Sequence, residues 1–383
     1  MGNSSVGSGV LIANSDRRMV FAGAEKMPQG STVTKSHMTT HRKEKSKVIV
    51  TESSDLPVDI ESFKNTLGGL AEVKSIEVPM RQLSSSEEDE LIRELVDVEA
   101  LFVRSGIIGK RVIDSSRKLK VIAIHGVGVE QVDVSAATEN GIMVTNVPGG
   151  NAEAVAELTI GIILALSRKI PLADKKVREE KWSEGKSSGI ELKGKTLGII
   201  GLGHIGSRVV ELGRAFDMNM LGYDPYVAPA RVRSMGVQIV DLETLLKESD
   251  IVSIHVPLTE QTRQMIGEKE LRLMKQTSIL VNTARGAIVD EKELCSALEN
   301  GVIAGAALDT FEEEPPDPSN PLLKMDKVVI TPHIGGSTRE CLTFIAVVGA
   351  KDIAKVLRGE FPENLVNRDI LTKRGTRAAA IAP

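Results

Sequence analysis

The stretch T-L-G-I-I-G-L-G-H-I-G, residues 196 to 206, contains three glycines, Gly201, Gly203 and Gly206, in a G-x-G-x-x-G pattern. The apolar run before them predicts a buried strand, and the segment from Ile205 to Ala215 predicts a helix after them. At such a turn Gly201 permits the tight bend, Gly203 lets a pyrophosphate approach the backbone, and Gly206 allows close packing of helix on strand. The stretch therefore predicts a dinucleotide site in a parallel α/β sheet.

A carboxylate follows at the position where such a site contacts a ribose. Asp224 stands 18 residues after Gly206, directly behind the predicted strand M-L-G-Y. There it can accept hydrogen bonds from the ribose hydroxyls and repel a 2′-phosphate, so the predicted cofactor is NAD rather than NADP. His204 and Ile205 complete the predicted phosphate loop, and we expect His204 to be an exposed residue whose backbone amide serves the phosphate.

The rest of the chain shows the same strand-helix alternation twice. Short apolar runs from Val48 to Thr145 form one series, and runs from Thr196 to Ile330 form a second. We predict an α/β protein with two doubly wound parallel-sheet domains, a flavodoxin-like substrate domain and a Rossmann NAD domain, with the active site in the cleft between them. The predicted ranges are a disordered leader at 1–46, a substrate-binding domain at 47–150 and 337–367, an NAD-binding domain at 151–336, and a tail at 368–383.

Composition limits the partners. The 383 residues carry a formal charge of -4, a pI of about 6.0 and 41% apolar residues, which predicts no attraction for nucleic acid or anionic membranes. We expect no membrane span, no metal site, and two reduced structural thiols, Cys295 and Cys341. The basic, acid-poor leader also fits an organelle transit peptide, so we expect a cytoplasmic protein with organelle targeting as the alternative.

Three residues late in the chain can perform acid/base chemistry on an alcohol. Oxidising a secondary alcohol by hydride transfer leaves a proton on oxygen, and an imidazole is the natural base near neutral pH. His333, in T-P-H-I-G-G, stands after the last predicted strand of the second series. Glu314 is its predicted partner, with Glu312 and Glu313 as alternatives, and Arg285 can bind and polarise an anionic substrate.

These motifs resemble the D-isomer-specific 2-hydroxyacid dehydrogenases, in the branch of phosphoglycerate dehydrogenase and hydroxypyruvate reductase, from about residue 48 to 367. The motifs that carry the resemblance are N-A-E-A-V-A-E at 151–157, G-L-G-H-I-G at 201–206, H-V-P-L-T at 255–259, V-N-T-A-R-G-A-I-V-D at 281–290, A-A-L-D-T-F-E-E-E-P at 306–315 and P-H-I-G-G at 332–336. The resemblance implies Arg285 as the substrate-orienting residue, Glu314 and His333 as the acid/base pair, and a homodimer formed through the cofactor domain. The other expected cofactor-binding positions are Val256, Pro257, Thr262, Thr283, Ala284, Asp309, Gly335 and Gly336, with Asp309 beside the nicotinamide.

The resemblance also assigns a substrate loop. Backbone amides at Gly126, Val127 and Gly128 are expected to hold the substrate carboxylate, and Arg104, Ser105 and His125 are expected to contact the rest of a small anionic 2-hydroxy or 2-oxo acid. The loop departs from the family pattern G-x-G-x-D-N, because Glu130 and Gln131 stand at its last two positions. Phosphoglycerate enzymes commonly carry arginine where this chain has His125.

Several functions share this scaffold. The favoured prediction is an NAD-dependent enzyme that resembles 3-phosphoglycerate dehydrogenase, and a hydroxypyruvate or glyoxylate reductase is the alternative. Formate dehydrogenases of the same fold resemble this chain less, since glutamine replaces the partner glutamate. An NAD-sensing transcriptional corepressor is the alternative from another class, and the short tail after Asn367 disfavours it.

Overall fold

The computed structural model describes residues 45–186, 188–228, 230, 232 and 235–372. The predicted leader therefore lies outside the described residues except for Lys45 and Ser46. Of the predicted tail, residues 373–383 also lie outside them.

The first sheet is parallel and has five strands. Its strands are β1 (Ser46–Glu52), β2 (Ala71–Glu77), β3 (Ala100–Val103), β4 (Val121–Ile124) and β5 (Met143–Thr145), and its helices are α1 (Ile60–Leu67), α2 (Ser85–Glu94), α3 (Lys110–Ser115) and α4 (Val134–Glu139). The strand order is β2-β1-β3-β4-β5. This is the 2-1-3-4-5 order of a flavodoxin-like sheet.

Two helices follow, α5 (Ala152–Ser167) and α6 (Ile170–Arg178), and then the second sheet begins. Its strands are β6 (Thr196–Ile200), β7 (Asn219–Tyr223), β8 (Gln238–Ile239), β9 (Ile251–Ile254), β10 (Ile279–Asn282), β11 (Gly305–Leu308) and β12 (Val328–Ile330). Its helices are α7 (His204–Ala215), α8 (Leu242–Glu248), α9 (Glu268–Leu273) and α10 (Glu291–Glu299), and α11 (Arg339–Arg358) closes the fold. The order β12-β11-β10-β9-β6-β7-β8 is parallel throughout and reverses direction at β6, as in a Rossmann sheet.

Helices cover both faces of each sheet, which explains why the central strands are almost entirely apolar, with Ser253 and Asn282 as the polar exceptions. All residues of β3, β4, β9, β10 and β11 are buried. An alternating pattern would have placed polar groups under these helices, where they lose water without gaining partners.

The helix α11 returns to the first sheet after the chain has completed the second. Its buried face, including Ile345 and Ile353, shares a core with Val48 and Phe102. Gly349 makes this possible, because a Cβ at that position would collide with the Phe102 ring. The first sheet, its helices α1 to α4 and the helix α11 together form what we call the first unit, and the second sheet with its helices forms the cofactor unit. The first unit is thus built from two segments distant in sequence.

The predicted fold class is confirmed, with small differences in the elements. Asn151 precedes α5 but makes no capping hydrogen bond, and its Oδ1 is buried without a partner among the described residues. The strand β8 and the helix α6 were not predicted. The strand β8 has only two residues, Gln238 and Ile239, which is too short to show an apolar run. The proposed boundaries at residues 150 and 336 stay a prediction.

Candidate active site

The glycine-rich turn joins β6 to α7. Gly201 has a φ of +94°, in the left-handed region that favours glycine. A Cβ at Gly206 would collide with the carbonyl oxygen of Gly201, so only glycine allows this helix to lie so close to the strand. At Gly203, by contrast, a Cβ would meet nothing within 4 Å. The turn therefore presents open space at the N-terminal end of a 12-residue helix, where a phosphate would be stabilised.

Asp224 lies beside this turn, at the end of β7. Its Oδ2 accepts a hydrogen bond from the Leu202 N–H at 2.8 Å, and its Oδ1 accepts from the Tyr226 N–H at 2.9 Å. The carboxylate is thereby fixed next to the glycine loop. Each oxygen retains capacity for a second donor such as a ribose hydroxyl.

The other predicted cofactor positions follow the ends of neighbouring strands. After β9, Thr262 donates from Oγ1 to the Pro257 carbonyl at 2.6 Å, which closes the turn that begins at Val256. After β10, the buried Thr283 hydroxyl lies 3.0 Å from the Thr159 hydroxyl of α5. The contact of Thr159 with Thr283 was not predicted from the sequence, because only the fold brings α5 against the residue that follows β10.

His333 and Glu314, which the sequence predicted to be partners, are in direct contact. His333 Nδ1 lies 2.6 Å from Glu314 Oε2. The other oxygen, Oε1, accepts a hydrogen bond from the Phe311 N–H at 3.0 Å. Burial alone would raise the pKa of Glu314, but the hydrogen bond and charge of His333, the Phe311 N–H and the charge of Arg285 together hold it below its ordinary value. Glu314 is thus a carboxylate near neutral pH, and Glu312 and Glu313 are not the partners seen here.

Asp309 holds the loop that carries His333. Its side chain is 1% exposed. Oδ1 accepts from the Thr331 hydroxyl at 2.6 Å and the Ile334 N–H at 2.9 Å, and Oδ2 accepts from the Gly335 N–H at 2.9 Å. Burial raises the pKa of Asp309, and these hydrogen bonds oppose that rise. Asp309 thus positions this loop, and its predicted place beside the nicotinamide stays a prediction.

Arg285 follows β10 and reaches across to the first unit. Its Nη1 donates to the Ala284 carbonyl at 2.8 Å, and its Nε lies 3.3 Å from Glu130 Oε1 in the loop after β4. The backbone of Gly128 lies against this ion pair, because a Cβ there would collide with both side chains. The predicted substrate loop and the predicted substrate-orienting arginine therefore meet.

Two of the remaining predicted substrate residues, Ser105 and His125, are buried in the core and do not face the Arg285–Glu130 pair. Ser105 is fully buried and donates to the Val78 carbonyl at 2.7 Å, so its hydroxyl is already engaged in the core. His125 is 3% exposed, and burial and the charge of Arg104 lower its pKa to about 3. It is therefore a neutral group near Phe102, and an ionic contact between His125 and a substrate anion is disfavoured. Gly126 and Val127 keep the loop in place through their carbonyls, which accept from the Val147 N–H and from Asn146 Nδ2.

Arg104 differs from these residues. Burial lowers the pKa of its guanidinium, its Nε is buried without a hydrogen-bond partner, and no carboxylate pairs with it among the residues that the structure describes. A mostly buried, unpaired cation is costly unless an anion accompanies it. Arg104 is thus suited to bind an anionic group.

Comparison with known proteins identifies the family. Residues 160–335 match the family model described as the NAD-binding domain of the D-isomer specific 2-hydroxyacid dehydrogenases. The chain is 43% identical over 307 residues to a glyoxylate reductase of Thermofilum pendens, covering 77% of this chain and 89% of that protein. The chain belongs to the D-isomer specific 2-hydroxyacid dehydrogenases. The predicted cofactor, NAD, is confirmed, because the matching family model describes an NAD-binding domain.

Two further relatives span the substrate alternatives. A D-3-phosphoglycerate dehydrogenase of Methanocaldococcus jannaschii is 48% identical over 300 residues, which cover 78% of this chain and 56% of that protein. This chain thus spans about half the length of that relative. The crystal structure of a glyoxylate reductase from Paecilomyes thermophila superposes with a TM-score of 0.74 at 30% identity, covering 85% of this chain and 99% of that one.

The residues present fit a dinucleotide. The open space at Gly203 and the fixed carboxylate of Asp224 form a cradle that a larger side chain at Gly203 would fill. Among the described residues no group of histidine, cysteine and carboxylate side chains could hold a metal ion, and none of the described helices is long and apolar enough to span a bilayer.

Proposed function

We propose that the protein is an NAD-dependent oxidoreductase that interconverts a D-2-hydroxy acid and its 2-oxo acid. The observation that carries this proposal is the 2.6 Å contact between His333 Nδ1 and Glu314 Oε2 at the end of β12. It is supported by Arg285, which extends from the cofactor sheet to the substrate loop. A panel of 2-oxo acids assayed with NADH tests the proposal, and it also separates an enzyme from an NAD-sensing corepressor.

The proposed chemistry divides between cofactor and protein. NAD, when bound, accepts or supplies the hydride. With Nδ1 directed at Glu314, the His333 nitrogen left for the substrate is Nε2, which takes the proton from the alcohol oxygen or returns it to the carbonyl oxygen. Glu314 sets the tautomer of the neutral imidazole and stabilises the protonated form. Arg285 binds the substrate carboxylate and polarises the carbonyl, and the amides of Val127 and Gly128 complete the carboxylate site. The expected contribution of the Gly126 amide is wrong, because its N–H already donates to the Ile124 carbonyl at 2.9 Å.

We propose further that the substrate is phosphorylated, with 3-phosphoglycerate and its 2-oxo product as the pair. The unpaired Arg104 guanidinium supports this, since a second anionic group would compensate its burial. Arg104→Ala should impair phosphorylated substrates selectively, by roughly 1–3 kcal/mol in transition-state binding, while glyoxylate and hydroxypyruvate suffer much less. Arg117→Ala, at an exposed arginine on the same unit, is the control.

A uniform loss on all substrates in Arg104→Ala would favour the alternative, a hydroxypyruvate or glyoxylate reductase. That alternative is supported by the Thermofilum pendens relative, of which this chain covers most of the length. The two assignments differ in the distal group alone, so kcat/KM for hydroxypyruvate with and without a 3-phosphate decides between them.

We also propose a homodimer formed through the cofactor unit. Exposed apolar side chains on and near α6 support this: Ile170, Val177 and Trp182 are 53%, 45% and 65% exposed. Val177→Glu should shift sedimentation toward the monomer. Val96→Glu, at a 59% exposed valine of the first unit, should not. A monomeric parent protein would refute this proposal.

The proposed compartment is the cytoplasm, and the proposed pathway is serine biosynthesis, since phosphoglycerate oxidation is the favoured reaction. A fluorescent fusion carrying residues 1–46 tests the compartment. Organellar fluorescence would show that these residues are a transit peptide.

A further inference from the structure

The ion pair between Arg285 and Glu130 connects the two halves of the proposed active site. Arg285 Nε lies 3.3 Å from Glu130 Oε1, and the side chains are 36% and 57% exposed. These residues are 155 positions apart in sequence. The pair therefore forms where solvent and a small substrate can both reach it.

Glu130 presents to Arg285 the same chemical group as the substrate. A carboxylate is the natural partner of a guanidinium, and the proposed function assigns Arg285 to the carboxylate of a 2-oxo acid. The backbone of Gly128, whose amide is proposed to hold that substrate carboxylate, touches both side chains of the pair, because a Cβ there would collide with Glu130 Oε2 and Arg285 Nη2. Glu130 thus lies beside the amide and the guanidinium to which the substrate carboxylate is proposed to bind.

The length of the side chain matters. The family pattern that this loop resembles has aspartate at the position of Glu130. Shortening the side chain by one methylene would take its carboxylate beyond the reach of a hydrogen bond from Arg285 Nε, which is already at 3.3 Å. The contact thus depends on the residue by which this chain departs from the pattern.

We propose that Glu130 is a specificity-determining residue: its carboxylate pairs with Arg285 in the substrate-free enzyme and competes with the anionic substrate for it. This proposal rests on the proposed role of Arg285. A substrate must displace Glu130 to bind. This raises KM for 2-oxo acids whose carboxylate is their only charged group. Once the substrate is bound, Glu130 is released to solvent, so kcat is not affected.

The experiment compares Glu130→Gln and Glu130→Asp with the parent protein. Both changes should lower the KM for hydroxypyruvate and glyoxylate by about two- to fivefold, the range expected for an exposed ion pair, with kcat unchanged. The Kd of oxamate, a non-reacting carboxylate measured by calorimetry in the presence of NADH, should fall by the same factor. In an Arg285→Ala background, Glu130→Gln should leave the oxamate Kd unaltered.

Glu139→Gln is the matched control, because Glu139 is 58% exposed and pairs with Lys110 away from this loop. It removes the same charge and should change neither KM nor the oxamate Kd. An unchanged or raised KM and oxamate Kd in Glu130→Gln would overturn the competition and show that the pair orients Arg285 instead. Failure of the parent protein to reduce any 2-oxo acid would refute the proposed function, whereas the oxamate Kd still tests Glu130.

Discussion

The position of His333 depends on Asp309, a buried residue that follows β11. Its φ of +51° is uncommon for a residue other than glycine, and its N–H donates to the Asp309 carbonyl at 2.9 Å. The Asp309 carboxylate binds the next two amides of the same loop. A buried side chain therefore sets the direction of an exposed imidazole.

His333→Ala should lower kcat by roughly 10²- to 10⁴-fold, the usual contribution of a general acid/base, while NADH binding measured by fluorescence persists. Glu314→Gln should also lower kcat, because the amide lacks the negative charge that stabilises the imidazole while it carries the proton. Glu313→Gln is the control, since Glu313 makes no contact with His333. A kcat equal to the parent's in Glu314→Gln would exclude Glu314 as the partner.

Asp224→Ala should reduce the preference for NADH over NADPH. The fixed carboxylate next to the glycine loop repels a 2′-phosphate, and alanine removes that repulsion. The measurement is kcat/KM for both cofactors. Asp326→Ala, at an exposed aspartate before β12, serves as the control. Unaltered discrimination in Asp224→Ala would refute the ribose assignment.

Two histidines with lowered pKa values, the buried His125 and the half-buried His255, should make stability depend on pH. Burial lowers the pKa of both His125 and His255 to about 3. The unfolded chain binds protons near pH 6.5, so their contribution to stability is complete above that pH and is lost as pH falls toward 3. At pH 5 each histidine should lower the unfolding free energy by roughly 2 kcal/mol.

His125→Phe tests this directly, because phenylalanine can pack beside Phe102 without titrating. Urea unfolding at pH 7.5 and pH 5 should show a smaller pH-dependent loss in the variant than in the parent. His204→Phe, at an exposed histidine, should leave the pH dependence as it is. An identical loss in His125→Phe and the parent would mean that His125 is protonated in the folded protein.

At the scale of elements, β6 and α7 form a unit in which two glycines have different functions. Gly206 is required by packing, since its Cβ would collide with the Gly201 carbonyl. Gly203 borders open space, so the absence of a side chain there leaves room for the proposed cofactor phosphates. The two positions separate folding from cofactor binding.

Gly206→Ala should lower the melting temperature, because the helix must move away from the strand. Gly203→Ala should keep the melting temperature of the parent but weaken NADH binding at least tenfold, because a methyl group would stand where the pyrophosphate approaches. Thermal unfolding and NADH fluorescence titration separate the two effects. If Gly203→Ala bound NADH as well as the parent, the phosphate site would lie elsewhere.

At the scale of the whole molecule, the first unit is completed by the last described residues of the chain. Asn367 is buried, and its Oδ1 accepts from the Val144 N–H at 2.8 Å. Its Nδ2 donates to the Ile142 carbonyl and the Thr138 hydroxyl, both at 2.9 Å. One side chain thus joins the C-terminal segment to β5 and α4.

Asn367→Ala should lower the unfolding free energy by roughly 1–3 kcal/mol, because it leaves buried partners without hydrogen bonds. The measurement is urea unfolding monitored by circular dichroism. Asn300→Ala, at an exposed helix end, should cost no more than about 0.5 kcal/mol. Equal losses in the two variants would mean that the C-terminal segment contributes little to the first unit.

The sequence by itself determined the local features. Apolar runs of four or five residues predicted most strands, because a parallel strand buried on both faces must be apolar throughout. The glycine spacing predicted the turn at Gly201, because the conformations involved are local. His333 and Glu314 could be paired because both follow strands of one sheet, whose carboxyl ends share an edge.

Only the tertiary structure decided which distant side chains meet and which are buried. Glu130 and Arg285, or Thr159 and Thr283, come together through the packing of separate elements, and no local pattern marks such contacts. His125 and Ser105 follow strands just as His333 does, yet both are buried in the first unit. Exposure depends on what packs against the end of a strand, and that is a property of the assembled fold.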